Sequence, residues 1–146
     1  MKNKPEHWNN DAGEFHREGG PAVTWVDGSQ FWYLHNKLHR EGGPAVIHGD
    51  GSEEWYLNGK PHREDGPAVI WPDGTQEWWV KGERHRAGGP AYTSVANGIQ
   101  IWYLNGVPLR EDGPAFTGAD GTSEWWLNGK QLDPLVHVVM SYEKRT

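Results

Sequence analysis

His62-Arg63-Glu64-Asp65-Gly66-Pro67-Ala68-Val69-Ile70-Trp71-Pro72-Asp73-Gly74-Thr75-Gln76-Glu77-Trp78-Trp79-Val80-Lys81-Gly82-Glu83-Arg84 is one full copy of a pattern that fills most of the chain. Ala68 to Trp71 is a short β-branched and aromatic run, Pro72-Asp73-Gly74 is turn chemistry, and Thr75 to Val80 reads as a second strand. Together they predict a β-hairpin. A tight turn follows at Lys81-Gly82, with Asn58-Gly59, Asn105-Gly106 and Asn128-Gly129 in the same place elsewhere. Asn-Gly tolerates the positive φ of a two-residue hairpin turn, and Asn36 of His35-Asn36 is the best substitute for Gly.

The opening phrase of the copy recurs at His16, His39, His62, His85 and Leu109, spaced 23, 23, 23 and 24 residues apart. A period of this length belongs to stacked repeats rather than to one closed core. The expected fold is therefore all-β: a solenoid-like array of five antiparallel β-hairpins of about 23 residues, spanning 16–131. Residues 1–15 read as an N-terminal cap resembling a decayed half repeat. Residues 132–146 read as a C-terminal cap, where Asp133-Pro134 followed by Leu135, Val138, Val139 and Tyr142 predicts a short capping helix. The β-branched Val136, Val138 and Val139 would also suit a last strand. Two strands per repeat at about 4.8 Å each place equivalent residues roughly 10 Å apart.

Composition narrows both stability and function. Only 35% of the 146 residues are hydrophobic, whereas Trp numbers 10 and Gly 20, so large aromatics are expected to supply most of the burial. One well-buried Trp per repeat would contribute on the order of 4 to 6 kcal/mol before entropy. The net charge of −6 is spread along the chain with both signs alternating, which argues against duplex nucleic acid and anionic membranes as partners. The absence of Cys and of any apolar run at the start fits a cytoplasmic protein. No Gly-rich loop leads into a helix, no nucleophile elbow occurs, and the carboxylates recur as repeat features, so no enzyme, catalytic residue or cofactor is expected.

Strand alternation assigns two faces. Trp32, Trp55, Trp78, Trp102 and Trp125 share one with Leu34, Leu57, Val80, Leu104 and Leu127, the expected core. Tyr33, Tyr56, Trp79, Tyr103 and Trp126 lie on the other beside Phe31, Glu54, Glu77, Ile101 and Glu124, a partly wet surface. This aromatic stripe is either a cover for a thin sheet or a platform for an isolated planar ligand or a protein partner.

The column His16, His39, His62 and His85 is too widely spaced to gather one metal ion, and reads as packing against the neighbouring turn or bonding a backbone carbonyl. Arg17, Arg40, Arg63, Arg86 and Arg110 are filled in every copy. With Tyr33 and Tyr56 they form a candidate site for a small anionic, nucleotide-like ligand. The other reading is an Arg ladder paired with Glu18, Glu41, Glu64 and Glu111 or bonded to turn carbonyls. The fourth copy departs most: Ala87 replaces an acid, its turn is one residue longer and is followed by Ile99, Tyr92 replaces Val, Ile101 stands where three other copies have Glu, Val107 where Lys is usual and Leu109 where His was. With Phe116, they predict an apolar patch that docks a protein partner, helped by Trp79, Tyr103 and Trp126. The C-terminal cap or a second copy in a homodimer could cover it instead.

The run Trp55-Tyr56-Leu57-Asn58-Gly59-Lys60-Pro61-His62 resembles a MORN repeat, in which an aromatic precedes Asn-Gly-Lys and His. Where a typical repeat passes from His almost directly to Gly, this chain inserts Arg-Glu-Asp and places Pro-Ala after the Gly. That variant is similar to MORN-like proteins of bacteria, bacteriophages and giant viruses. The resemblance implies a hairpin solenoid with a scaffold or binding role, and inhibition of a host factor in the host cytoplasm as its setting.

Overall fold

The computed structural model describes residues 4–133, and among them the chain is all-β with no helix. One long antiparallel sheet runs in the order Glu6–His7, Val23–Thr24, Gln30–Phe31, Val46–Ile47, Glu53–Glu54, Val69–Ile70, Gln76–Glu77, Tyr92–Ser94, Ile99–Ile101, Phe116–Thr117, Ser123–Glu124. It does not close. Pairs such as Val69↔Glu77 form the hairpins, and pairs such as Glu54↔Val69 join one hairpin to the next.

The hairpin loops follow from their residues. In Trp71–Thr75, Gly74 N–H donates to the Trp71 carbonyl and Trp71 N–H to the Thr75 carbonyl, a type I turn closed by a left-handed Gly. Asp73 Oδ1 accepts the Thr75 N–H at 2.8 Å, and Asp27, Asp50 and Asp120 accept the N–H two residues on in the same way. In the fourth loop Ser94 Oγ takes over, accepting from Asn97 N–H.

Hydrogen bonds from the residue two on, the hydroxyl first for Asp50 (Ser52) and Asp120 (Thr122) and the backbone N–H first for Asp27 and Asp73, hold these four carboxyls below the usual aspartate range. A depressed folded-state value contributes stability at neutral pH that fades as pH falls through about 4, the unfolded value, toward the lower folded values. Replacing all four by Asn is expected to flatten the acid limb of a stability-against-pH curve below about pH 4. An acid limb as steep as the parent's would contradict this.

The run Thr75 to Val80, expected as one strand, divides at Trp78. Gln76–Glu77 stays in the long sheet, while Trp79–Val80 pairs with Glu83–Arg84 as a separate two-stranded hairpin. Trp78 is the corner: its N–H donates to the Ala91 carbonyl at 2.7 Å and its carbonyl accepts the His85 N–H at 3.1 Å. Trp32, Trp55 and Trp102 turn their chains with the same two bonds. Each small hairpin ends in a two-residue turn with both residues at positive φ, as at Asn58 (50°) and Gly59 (78°), and at His35 (49°) and Asn36 (59°).

Burial departs from expectation. The Trp-Leu face is half-buried, with Leu127 exposed, and the sealed positions are small: Ala22, Ala45, Ala68, Ala91 and Ala115, together with Val23, Val46, Val69, Ser29, Ser52, Thr75 and Ser94. The geometry explains this, because the Ala of each Gly-Pro-Ala lies where the chain enters the long sheet. Ala68 N–H donates to Glu77 and its carbonyl accepts from Trp55. Ala68 has 0% exposure there.

At the start of the array, Trp8 N–H donates to Ala22 and its carbonyl accepts the His16 N–H, the same corner that Trp78 makes. The capping helix expected in 132–146 lies outside the described residues, apart from Leu132 and Asp133, which are not helical.

Candidate functional site

Two surfaces carry the residues singled out above, and the corner at each Trp separates them. On the first, the phrase side, each Arg lies flat on a Trp: the guanidinium carbon of Arg40 is 4.0 Å from the Trp32 ring centre, Arg63 3.9 Å from Trp55, Arg86 4.0 Å from Trp78 and Arg110 4.2 Å from Trp102. Arg17 covers Trp8 in the same way at 3.9 Å. Arg17, Arg40, Arg63 and Arg86 each donate Nη1 to the carbonyl of the Pro four residues on. Arg63 and Arg110 also donate Nε to Asp65 and Asp112. The Gly before Pro makes room for this, since a Cβ on Gly66 would stand 2.6 Å from the Arg63 guanidinium carbon.

Glu41 and Glu64 lie instead near His39 and His62, at 4.0 and 3.8 Å. Each His has a fixed task. His39 Nδ1 accepts the Asn58 N–H, His62 the Lys81 N–H and His85 the Asn105 N–H, at 3.0 to 3.1 Å, so each copy holds the tight turn of the next. His16 does this for His35 at 3.2 Å. Each His thus meets the neighbouring turn, one of the two readings of this column, and its bond is to a backbone amide rather than to a carbonyl. Among the described residues no three His, Asp or Glu side chains are grouped to hold a metal ion.

Between successive phrases lie grooves of about 380, 480 and 520 Å³: in the first two Arg and His side chains meet Trp32 and Leu34 or Trp78 and Val80, and in the third Arg86 and Arg110 meet Trp102 and Leu104. Leu109 lines the last of these. Alternation places Tyr33 on the opposite side of its strand from Trp32 and Leu34, and Tyr56 on the opposite side from Trp55 and Leu57. The Arg column and those two tyrosines therefore do not converge on one ligand.

The second surface is the aromatic face. Phe31 and Tyr33 rings stack 6.5 Å apart and Phe31 meets His48 edge-on at 5.9 Å. Tyr56 donates its hydroxyl to Glu54, Trp79 its indole N–H to Glu77, and Trp126 its indole N–H to Glu124. Burial pushes the Tyr33 phenol up. In the irregular fourth copy, register brings Tyr92, Ile101 and Phe116 into one cross-strand row, Tyr92↔Ile101↔Phe116. None of the three is sealed.

The residues proposed from sequence thus separate. Tyr92, Ile101, Tyr103, Trp79 and Phe116 gather on the aromatic face, with Trp126 one repeat on. Ile99 stands opposite the buried Ser94. Val107 faces Leu104 across the small hairpin, and with Leu109 belongs to the phrase side.

Sequence reasoning passed over Arg84. It stands where other copies have Leu38, Pro61, Pro108 and Gln131. Its guanidinium carbon is 5.0 Å from the Trp79 ring centre, 5.4 Å from Tyr92 and 5.6 Å from Tyr103. It also binds Glu77 at 2.8 Å. A basic residue alone in an otherwise uncharged column was the available signal. No protein-family model matches the chain, and no curated protein matches it.

Proposed function

We propose that the chain is a non-enzymatic, MORN-like scaffold of five repeats that binds another protein across its aromatic face. The observation that carries this reading is the Tyr92-Ile101-Phe116 row. In the first three copies the first of these columns holds the sealed Val23, Val46 and Val69, whereas Tyr92 and Phe116 are half-exposed. Contiguous half-exposed aromatics beside a centrally placed Arg have the composition of an interface hot spot. By kinship with the phage and giant-virus repeat proteins it resembles, the partner would be a host factor and the setting the host cytoplasm. A small anionic ligand in the Arg column has weaker support, because those guanidinium groups already stack on Trp and bond Pro carbonyls. No helix among the described residues is long and apolar enough to cross a membrane.

Ile101→Asp is expected to abolish capture of the protein partner in a pull-down while the β circular dichroism signal is retained. Undiminished capture by that variant would refute the reading.

A further inference from the structure

Glu77 holds four donors. Its Oε2 accepts from Trp79 Nε1 at 3.1 Å and from Arg84 Nη2 and Nε at 2.8 and 3.3 Å, and its Oε1 from Trp71 Nε1 at 3.3 Å. The guanidinium is thus seated between a carboxylate and three rings, the arrangement that favours a cation most. One repeat earlier, the same register carries Glu54. Its Oε2 accepts from the Tyr56 hydroxyl at 3.0 Å and its Oε1 from His48 Nε2 at 2.8 Å. Tyr56 thus answers to Trp79 and His48 to Trp71.

Nothing answers to Arg84. Its place opposite Tyr56 is taken by Pro61, which has no donor on its side chain. A carboxylate offers about four lone-pair sites, and Glu54 uses two of them while its side chain is only 19% exposed. Burial first, then the Glu54 and Glu77 charges, pushes the Tyr56 phenol up to about 12, so both carboxylates are felt at this ring.

We propose that the Glu54–Tyr56 position is a seat for an arginine side chain of the bound protein, walled by Tyr56 and, one repeat on, Trp79. The partner segment that lies along the aromatic face is accordingly basic. This rests on the protein-binding reading above and specifies the chemistry of that partner. The chain's net charge of −6 favours such a segment at long range. The third copy fills its own seat with Arg84, and the second takes its guanidinium from outside.

The test is a titration of the full-length chain, with its indole N–H groups observed by NMR, using the peptide acetyl-Gly-Arg-Gly-Arg-Gly-amide as probe. A matched peptide carrying citrulline, the neutral isostere of arginine, is the control. The arginine peptide is expected to shift the Trp79 indole resonance saturably, and the citrulline peptide not to. Glu54→Gln and Pro61→Arg should each weaken the response at least tenfold, the latter because the new side chain occupies the seat. Arg84 shows that this register accepts arginine, so Pro61→Arg decides the matter even if Glu54→Gln fails to fold. Equal shifts from both peptides, no saturable shift, or full affinity in Pro61→Arg would overturn the proposal. A chain that captures its partner through Ile101 yet gives no response to the peptide overturns the arginine seat alone.

Discussion

Ala68→Leu is expected to destabilise the middle of the array. Ala68 has 0% exposure, and both of its backbone polar groups are committed, the N–H to Glu77 at 2.8 Å and the carbonyl to Trp55 at 2.6 Å. Three carbons added at a fully buried position must displace whatever surrounds it. Overpacking of this kind costs about 1–3 kcal/mol in a core that can adjust, and a backbone junction pinned by two hydrogen bonds adjusts less than a side-chain cluster. In an array whose units touch only their neighbours, the loss also weakens coupling between the halves. Chemical denaturation is expected to show a lower midpoint, with protease cleavage near residue 68. Val26→Leu, at a position 65% exposed, should stay within about 0.5 kcal/mol of the parent. Equal midpoints for Ala68→Leu and the parent would show that the junction is not sealed.

Arg63→Ala should have the next largest effect on stability. It removes the stack on Trp55, the Nη1 bond to the Pro67 carbonyl at 3.2 Å and the Nε bond to Asp65 at 2.9 Å. An exposed ion pair alone would be worth little. A cation over an indole contributes about 0.5–2 kcal/mol and a hydrogen bond from a charged group about 1.5–3 kcal/mol, so a loss of about 2 kcal/mol is expected. The Trp55 indole N–H is buried without a hydrogen-bond partner, so the ring has no polar anchor of its own. Arg63→Lys keeps the charge but not the flat stack or the forked donors, and should recover less than half of the loss. Gly66→Ala should reproduce part of it by pushing the guanidinium aside. Full recovery in Arg63→Lys would show that charge, and not the stack, holds the phrase.

Much of this architecture was legible because turn chemistry is local. Asn58-Gly59 and Pro72-Asp73-Gly74 announce their turns through two or three adjacent residues, and alternation announces the two faces. The corner at Trp78 was not legible, since an extended chain keeps the same alternation when its hydrogen-bond partners change. The sealed alanines were hidden for a related reason: the burial of Ala68 arises where the chain joins the long sheet, and becomes visible only once the strands are paired. The Arg and Trp columns could both be read, but not that Arg63 covers Trp55, eight residues earlier in sequence. The fourth-copy departures Tyr92 and Ile101 lie in one row, whereas Leu109, an equally conspicuous departure, lies on the other side. Departure from a repeat marks positions freed from the common structure without indicating which way they point.

The recurring phrase holds the array together, and the aromatic face is the proposed binding surface. Partner capture by Ile101→Asp and Leu109→Asp, measured side by side in the same pull-down, tests that division most directly. The two substitutions place the same charge on opposite sides of the fourth copy. The account predicts that Ile101→Asp loses capture while Leu109→Asp retains it; capture lost in Leu109→Asp and kept in Ile101→Asp would place the binding surface on the phrase side and contradict it.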